Sequence, residues 1–301
     1  MSLLIVDDII KEWNRIKDDT DCIRILNPLS PAYIITLTSL LNQWYIKSEN
    51  ISIIRDTITY LERCNFFKAI SNDVPASCYT WNSKNLTEIT LINKEPQYDK
   101  ISEMVGKIIV KLKKLERNNV WDEYLSAVEN TFTTIATESI DNLIEHSESD
   151  FSKNACMYMM QHYPSTNTLH LAVIDCWIGI EESMKKSKHF KKWADGKYYV
   201  WLALQQHYTS KAEWRWNWLF MCADIVKNTN SKMNIISRNI SYQIIWQEEK
   251  FDYNCKEFPW TLVNVEFNID GMENNMDWIK RLTRYNDIQD MEYSYYNNLW
   301  S

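Results

Sequence analysis

Hydrophobic residues fall at helical spacing in some stretches of the chain and alternate or run together in others. That switch of period marks out the elements. Ile5, Ile9, Ile10, Trp13 and Ile16 predict a polar amphipathic helix over residues 1–20. Residues 22–26 read as a short strand. Asn27-Pro28-Leu29-Ser30-Pro31 is a turn, with Ser30 as N-cap and Pro31 at the first helical position. The helix it opens covers residues 32–45, followed by a strand at 51–54 and a helix at 56–70. This β-α-β-α unit holds no histidine and no glycine, and packing, partner binding or regulation is the role it suggests.

Further on, a strand is predicted at 86–92, an amphipathic helix at 98–115 and a long helix at 122–146. Residues 155–163 and 168–175, joined by Pro164-Ser165-Thr166-Asn167, suggest an antiparallel hairpin. Helices follow at 181–187, 191–207 and 218–228, then strands at 233–237, 242–246 and 262–269. From Met272 onward the chain is rich in Asn, Asp and Tyr and reads as a surface helix plus a loose tail. The order predicts an α+β fold. It divides into a small α/β N-terminal unit at 1–97, a main domain at 98–270 and a polar tail at 271–301.

Within the long helix, Glu138, Asn142 and His146 recur four residues apart, so they stack on nearly one face. Phe132, Ile135, Ala136, Ile140 and Leu143 make the apolar side. A carboxylate, an amide and an imidazole in one line are unusual on a helix that also needs a buried face, yet taken alone they read first as a solvated face. A second feature lies downstream. The apolar run Leu171-Ala172-Val173-Ile174 ends in Asp175, and Cys176-Trp177-Ile178-Gly179-Ile180 follows. An aspartate at a strand end can accept a hydrogen bond from the exocyclic amine of a base. An aspartate that merely starts a turn fits the same residues.

Bulk numbers narrow the setting. The net charge of −7 argues against a general nucleic-acid or anionic-membrane surface. No window holds the ~18 apolar residues of a membrane span. Acids at Asp7 and Asp8 stand where a secretion signal needs bases, so a cytoplasmic protein is expected. The seven scattered cysteines suit reduced thiols better than a disulfide frame or a zinc site. One balance is abnormal. The chain has only 4 glycines, where average usage predicts about 21, and it has 14 tryptophans.

Glu138-x-x-x-Asn142-x-x-x-His146, then Asp175-x-x-x-Gly179-Ile180, then Thr209-Ser210-Lys211 before Arg215-x-Asn217-x-Leu219, resembles a known domain. It is the ATPase domain shared by gyrase, heat-shock chaperones, histidine kinases and mismatch-repair ATPases, the GHKL superfamily. The resemblance covers about residues 100–270. It implies a two-layer α/β sandwich of the Bergerat ATP-binding type, with ATP and Mg²⁺ as cofactors. Tryptophans stand where the family has glycine: Trp177 in the first turn, Trp214, Trp216 and Trp218 in the second box, and Trp260 before Thr261. One reading is that these are glycine codons translated as tryptophan, since some codes read UGA as glycine and others as tryptophan. The other is a decayed pseudo-ATPase. Asn230-Ser231 and Ser237-Arg238 also lack the family's glycine, and misreading does not explain them.

By resemblance Asn142 gives its amide oxygen to Mg²⁺ and Glu138 orients or deprotonates water or a substrate hydroxyl. Asp175 takes the adenine amine, and Trp177, Gly179 and Ile180 form the turn beside the base. His146 is an adenosine-pocket wall or a helix C-terminal cap. Thr209, Ser210, Lys211, Arg215, Trp216 and Trp218 belong to the lid over the phosphates, with Lys211 or Arg215 offering charge, and Thr261 follows the last family glycine. The first histidine in the chain is His146, so no phosphoacceptor histidine precedes the domain. The expected function is therefore a stand-alone ATP-binding protein, acting as a protein serine kinase or an ATP-dependent switch. The alternative is a nucleotide-binding-defective module for protein interaction. The expected partners are the nucleotide and a protein, with no nucleic acid and no membrane; a homodimer stays open.

Overall fold

The computed structural model describes residues 13, 23–25, 30–43, 51–53, 55–70, 90–91, 103, 105–106, 109–110, 121–146, 156–175, 179–186, 191, 193–205, 218–252, 258–275 and 277. The polar helix expected at 1–20 lies outside the described residues except for Trp13. The helix expected at 98–115 is helical at the five positions described within it.

Strand β1 (Ile23–Ile25) pairs in parallel with β2 (Ile51–Ile53), across helix α1 (Pro31–Asn42). The start of α1 is the one its sequence asks for. Ser30 is extended, and its hydroxyl accepts from the Tyr33 N–H at 3.2 Å, with Pro31 in the first turn. Residues 31–32 and 34–41 of α1 are buried, so this helix is enclosed all round rather than surface-mounted. The single helix expected over 56–70 is two, α2 (Arg55–Arg63) and α3 (Phe66–Ile70), because Asn65 breaks it at φ 58°.

After β3 (Thr90–Leu91) comes the 26-residue α4 (Trp121–His146). Next is the hairpin of β4 (Met157–Tyr163) and β5 (Thr168–Asp175), with full antiparallel register from Met157–Ile174 to Tyr163–Thr168. Helices α5 (Gly179–Lys185), α6 (Gly196–Ala203) and α7 (Trp218–Asn228) follow. Asp195 caps α6 by accepting from Tyr198 N–H at 3.0 Å. Strands β6 (Lys232–Arg238), β7 (Ile240–Ile245), β8 (Glu248–Asp252) and β9 (Phe258–Asn268) complete the sheet, and α8 (Ile269–Asn274) follows directly. Strand β8 was not expected from its sequence. Glu-Glu-Lys-Phe-Asp has no apolar period, and it is the edge strand, where charge keeps other chains from pairing.

The seven strands form one antiparallel sheet in the order β3-β4-β5-β9-β6-β7-β8, so the chain is an α+β protein. Alternation along the strands gives the sheet two apolar faces. Leu171, Val173, Val263, Val265, Met233 and Ile235 face α4 and α7, where Phe132, Ile135, Ile140, Cys222 and Ile225 are almost fully buried. Ala172, Ile174, Leu262 and Ile236 point the other way, into a cluster with Ile34, Ile35 and Leu37 of α1. The N-terminal unit thus gives α1 to the sheet as a further layer. Tyr60 on α2 also bonds across to β4, donating to Gln161 Oε1 at 2.5 Å.

Gly271 marks the tightest approach. A Cβ there would lie 1.9 Å from the Thr229 carbonyl oxygen, so only glycine lets α8 sit against the end of α7.

Candidate functional site

Asp175 is the last residue of β5 and is opposite Thr261 in the β5–β9 register. Its Oδ1 accepts a hydrogen bond from the Thr261 N–H at 3.0 Å. The Thr261 hydroxyl lies 3.3 Å from the Ser237 hydroxyl on β6, and the two residues are register partners. Ser237 Oγ in turn accepts from the Ile180 N–H at 3.0 Å, in the first turn of α5. One polar line therefore crosses β5, β9 and β6 and returns to the segment that follows β5. Thr261 and Ser237 are buried, and Asp175 is half-buried. The Asp175 carboxylate is held in place by a backbone donor.

Gly179 sits at this line with φ +84°. A side chain is excluded there on two counts. The conformation is left-handed, and a Cβ would meet Arg238 Cγ at 3.0 Å and Ser237 Oγ at 3.1 Å. Arg238 itself has φ 57°, and the β6–β9 register shifts between Ser237 and Arg238. A bulge bends its strand and re-aims the side chain after it. A strained non-glycine residue beside a bulge is the kind of feature that concentrates at functional sites. Ser237 and Arg238 are the site residues that sequence reasoning missed, having read them only as a departure from glycine. The signal available was a polar Ser-Arg-Asn between two apolar runs.

The stripe on α4 is partly described. Glu138 and Asn142 are half-buried, while Phe132, Ile135, Ala136 and Ile140 are buried on the sheet. The amphipathic division read from the sequence therefore holds for these residues. Asn142 Nδ2 donates to the Glu138 carbonyl at 2.8 Å. The amide nitrogen is committed to the helix, which leaves the oxygen as the atom suited to a cation. His146 ends the helix, and its side chain lies outside the described residues. Ile144 of α4 and Ile180 of α5 both pack against the large apolar cluster on this face of the sheet.

Among the described residues no group of three His, Cys, Asp or Glu gathers that could hold a metal by itself. One amide oxygen on a half-buried helix face suits an ion shared with phosphate oxygens, not an all-protein cage. Trp177, Thr209, Ser210, Lys211, Arg215 and Trp216, with Trp214 and Asn217, lie outside the described residues. Trp218 starts α7 at 8% exposure. Trp260 is buried in β9, its ring edge-on to Phe258 at 5.7 Å.

No family model, no curated protein and no solved structure matches the chain. No helix among the described residues is long and apolar enough to cross a membrane.

Proposed function

We propose that the chain is a stand-alone ATP-binding protein of the histidine-kinase-like ATPase type, working on a protein partner as a serine kinase or as an ATP-dependent switch. The observation that carries this reading is the polar line from Asp175 through Thr261 and Ser237 to Ile180, closed by Gly179 at positive φ. A flat base with an exocyclic amine needs one fixed acceptor and a stretch of backbone without a side chain, and this line supplies both. The finer fold that goes with this reading is the Bergerat-type sandwich. Helices α4 and α7 on one face of the antiparallel sheet, with Asp175 at a strand end, support it.

In this reading Asp175 accepts the base amine and Gly179 gives the base its flat wall. Asn142 offers its amide oxygen to Mg²⁺, which supplies charge neutralisation at the phosphates when bound. Glu138, one turn earlier on the same helix, orients or deprotonates the attacking hydroxyl or water. Arg238, packed beside the Gly179 turn, adds a guanidinium to the base side of the site. Thr209, Ser210, Lys211 and Arg215 close over the phosphates, as the resemblance implies.

The second reading, a pseudo-ATPase kept as an interaction module, is favoured by Trp218 and Trp260. Both sit in the core with backbones that do not require glycine. Thermal shift with Mg-ATP separates the two, on the chain as written and on a form with glycine at 177, 214, 216, 218 and 260. The expected result is a shift in the glycine form that Asn142→Ala abolishes. No shift in the glycine form defeats the ATP reading, and a shift that survives Asn142→Ala defeats the metal assignment.

A further inference from the structure

Five non-glycine residues among those described have positive φ: Asn65, Asn167, Asn230, Arg238 and Trp246. The three asparagines need no special account, because their short amide side chains tolerate the left-handed region. Arg238 is held by the bulge and by its contact at Gly179. Trp246 has neither excuse. It lies at φ 60°, with a large ring on a backbone that L side chains rarely adopt.

Its place in the sheet explains the dihedral. Ile245 pairs with Glu248, so Trp246 and Gln247 are the two loop residues of the β7–β8 hairpin. Gln247 is not among the positive-φ residues. Positive φ at the first loop residue alone is the pattern of a type II′ turn, whose first position belongs to glycine. The turn is also tied down from its flank, since the Trp246 N–H donates to the Ser231 carbonyl at 3.1 Å. The side chain returns little for this strain, because Trp246 is 57% exposed. Trp13 makes the contrast. It is fully buried, with its ring edge-on to Phe258 at 5.6 Å, so its bulk is used in packing.

We propose that position 246 is glycine in the protein as the cell makes it, encoded by a UGA codon that the cell reads as glycine. This inference is independent of the nucleotide reading, because the hairpin requires glycine whatever the neighbouring site binds. It also supplies a position outside the motifs that carry the resemblance, at which the codon reading of Trp177, Trp214 and Trp216 is tested. Tandem mass spectrometry of the protein from its own cells reads the residue between Ile245 and Gln247 directly. Glycine there, with tryptophan at 13, is the expected result; tryptophan at 246 overturns the proposal. The physical reason has its own test on recombinant chains. Trp246→Gly is expected to raise the folded-to-unfolded ratio about five- to thirtyfold. Trp246→Ala, which keeps a Cβ at the same φ, is expected to gain far less. A glycine variant no more stable than the alanine variant overturns the argument from the turn.

Discussion

Two neighbouring hairpins of one sheet place a bulky residue at positive φ just after their last paired residue: Arg238, which ends β6 and follows the Ser237–Ile240 pair, and Trp246, which follows the Ile245–Glu248 pair of β7 and β8. The backbones are alike and the surroundings are not. Arg238 follows a bulge and packs on the Gly179 turn, whose neighbours Ser237 and Thr261 brace Asp175. Trp246 stands at the polar end of the sheet, beside the charged edge strand β8, and is mostly exposed. Strain of this kind persists where the surroundings over-determine it. At Arg238 the surroundings are a site. At Trp246 they are only a turn, and the simplest relief is a different residue.

The largest effect expected on this comparison comes from Gly179→Ala. Forcing a side chain into the left-handed region costs about 1–2 kcal/mol, and the new Cβ would press on Arg238 and Ser237. Urea unfolding should show the loss, and Mg-ATP should no longer shift the glycine form. A variant of full stability would mean that the Gly179 turn is not locked to Arg238. Arg238→Gly is the next test. Relief of the strained backbone should raise stability by about 1 kcal/mol, while nucleotide binding weakens. If stability rises and binding is unchanged, the strain at Arg238 serves no site, and the two hairpins are the same after all.

The smallest effect lies along β5 from Asp175, where the strain is electrostatic. Burial pushes the His170 pKa down to about 4, against Glu266, which favours the charged ring, while Lys232 opposes it. The Glu266 carboxylate is 3.6 Å from His170 Nε2 and 2.9 Å from Lys232 Nζ. The unfolded chain binds the proton more readily, so stability falls as pH drops from the ordinary histidine value toward 4. Between pH 7 and pH 6 the loss should be about 0.7 kcal/mol. His170→Gln should remove that part of the slope; an unchanged slope would show that His170 is not its source.

Much of the fold was legible because strong local signals agreed with the tertiary result. The period of four on α4, the Ser30-Pro31 cap and the boundaries of β5 and α7 follow from residues close in sequence. Strand β8 was not legible, since a charged edge strand has no burial pattern to read. The break between α2 and α3 was missed because Asn65 marks a stop only once its φ is known. At the candidate site Asp175, Gly179 and Thr261 could be named from the chain. Ser237 and Arg238 could not, because their importance comes from a bulge and from contacts across strands.

The sequence by itself determined most of the helices and strands, though not β8 or the break between α2 and α3, and it showed where Asp175 stands and that glycine is scarce where turns need it. Only the tertiary structure decided that Thr261, 86 residues further on, would brace that carboxylate through its own N–H. Strand order is a long-range choice, set by burying two apolar faces at once: one under α4 and α7, the other under α1. Local periodicity carries no record of it.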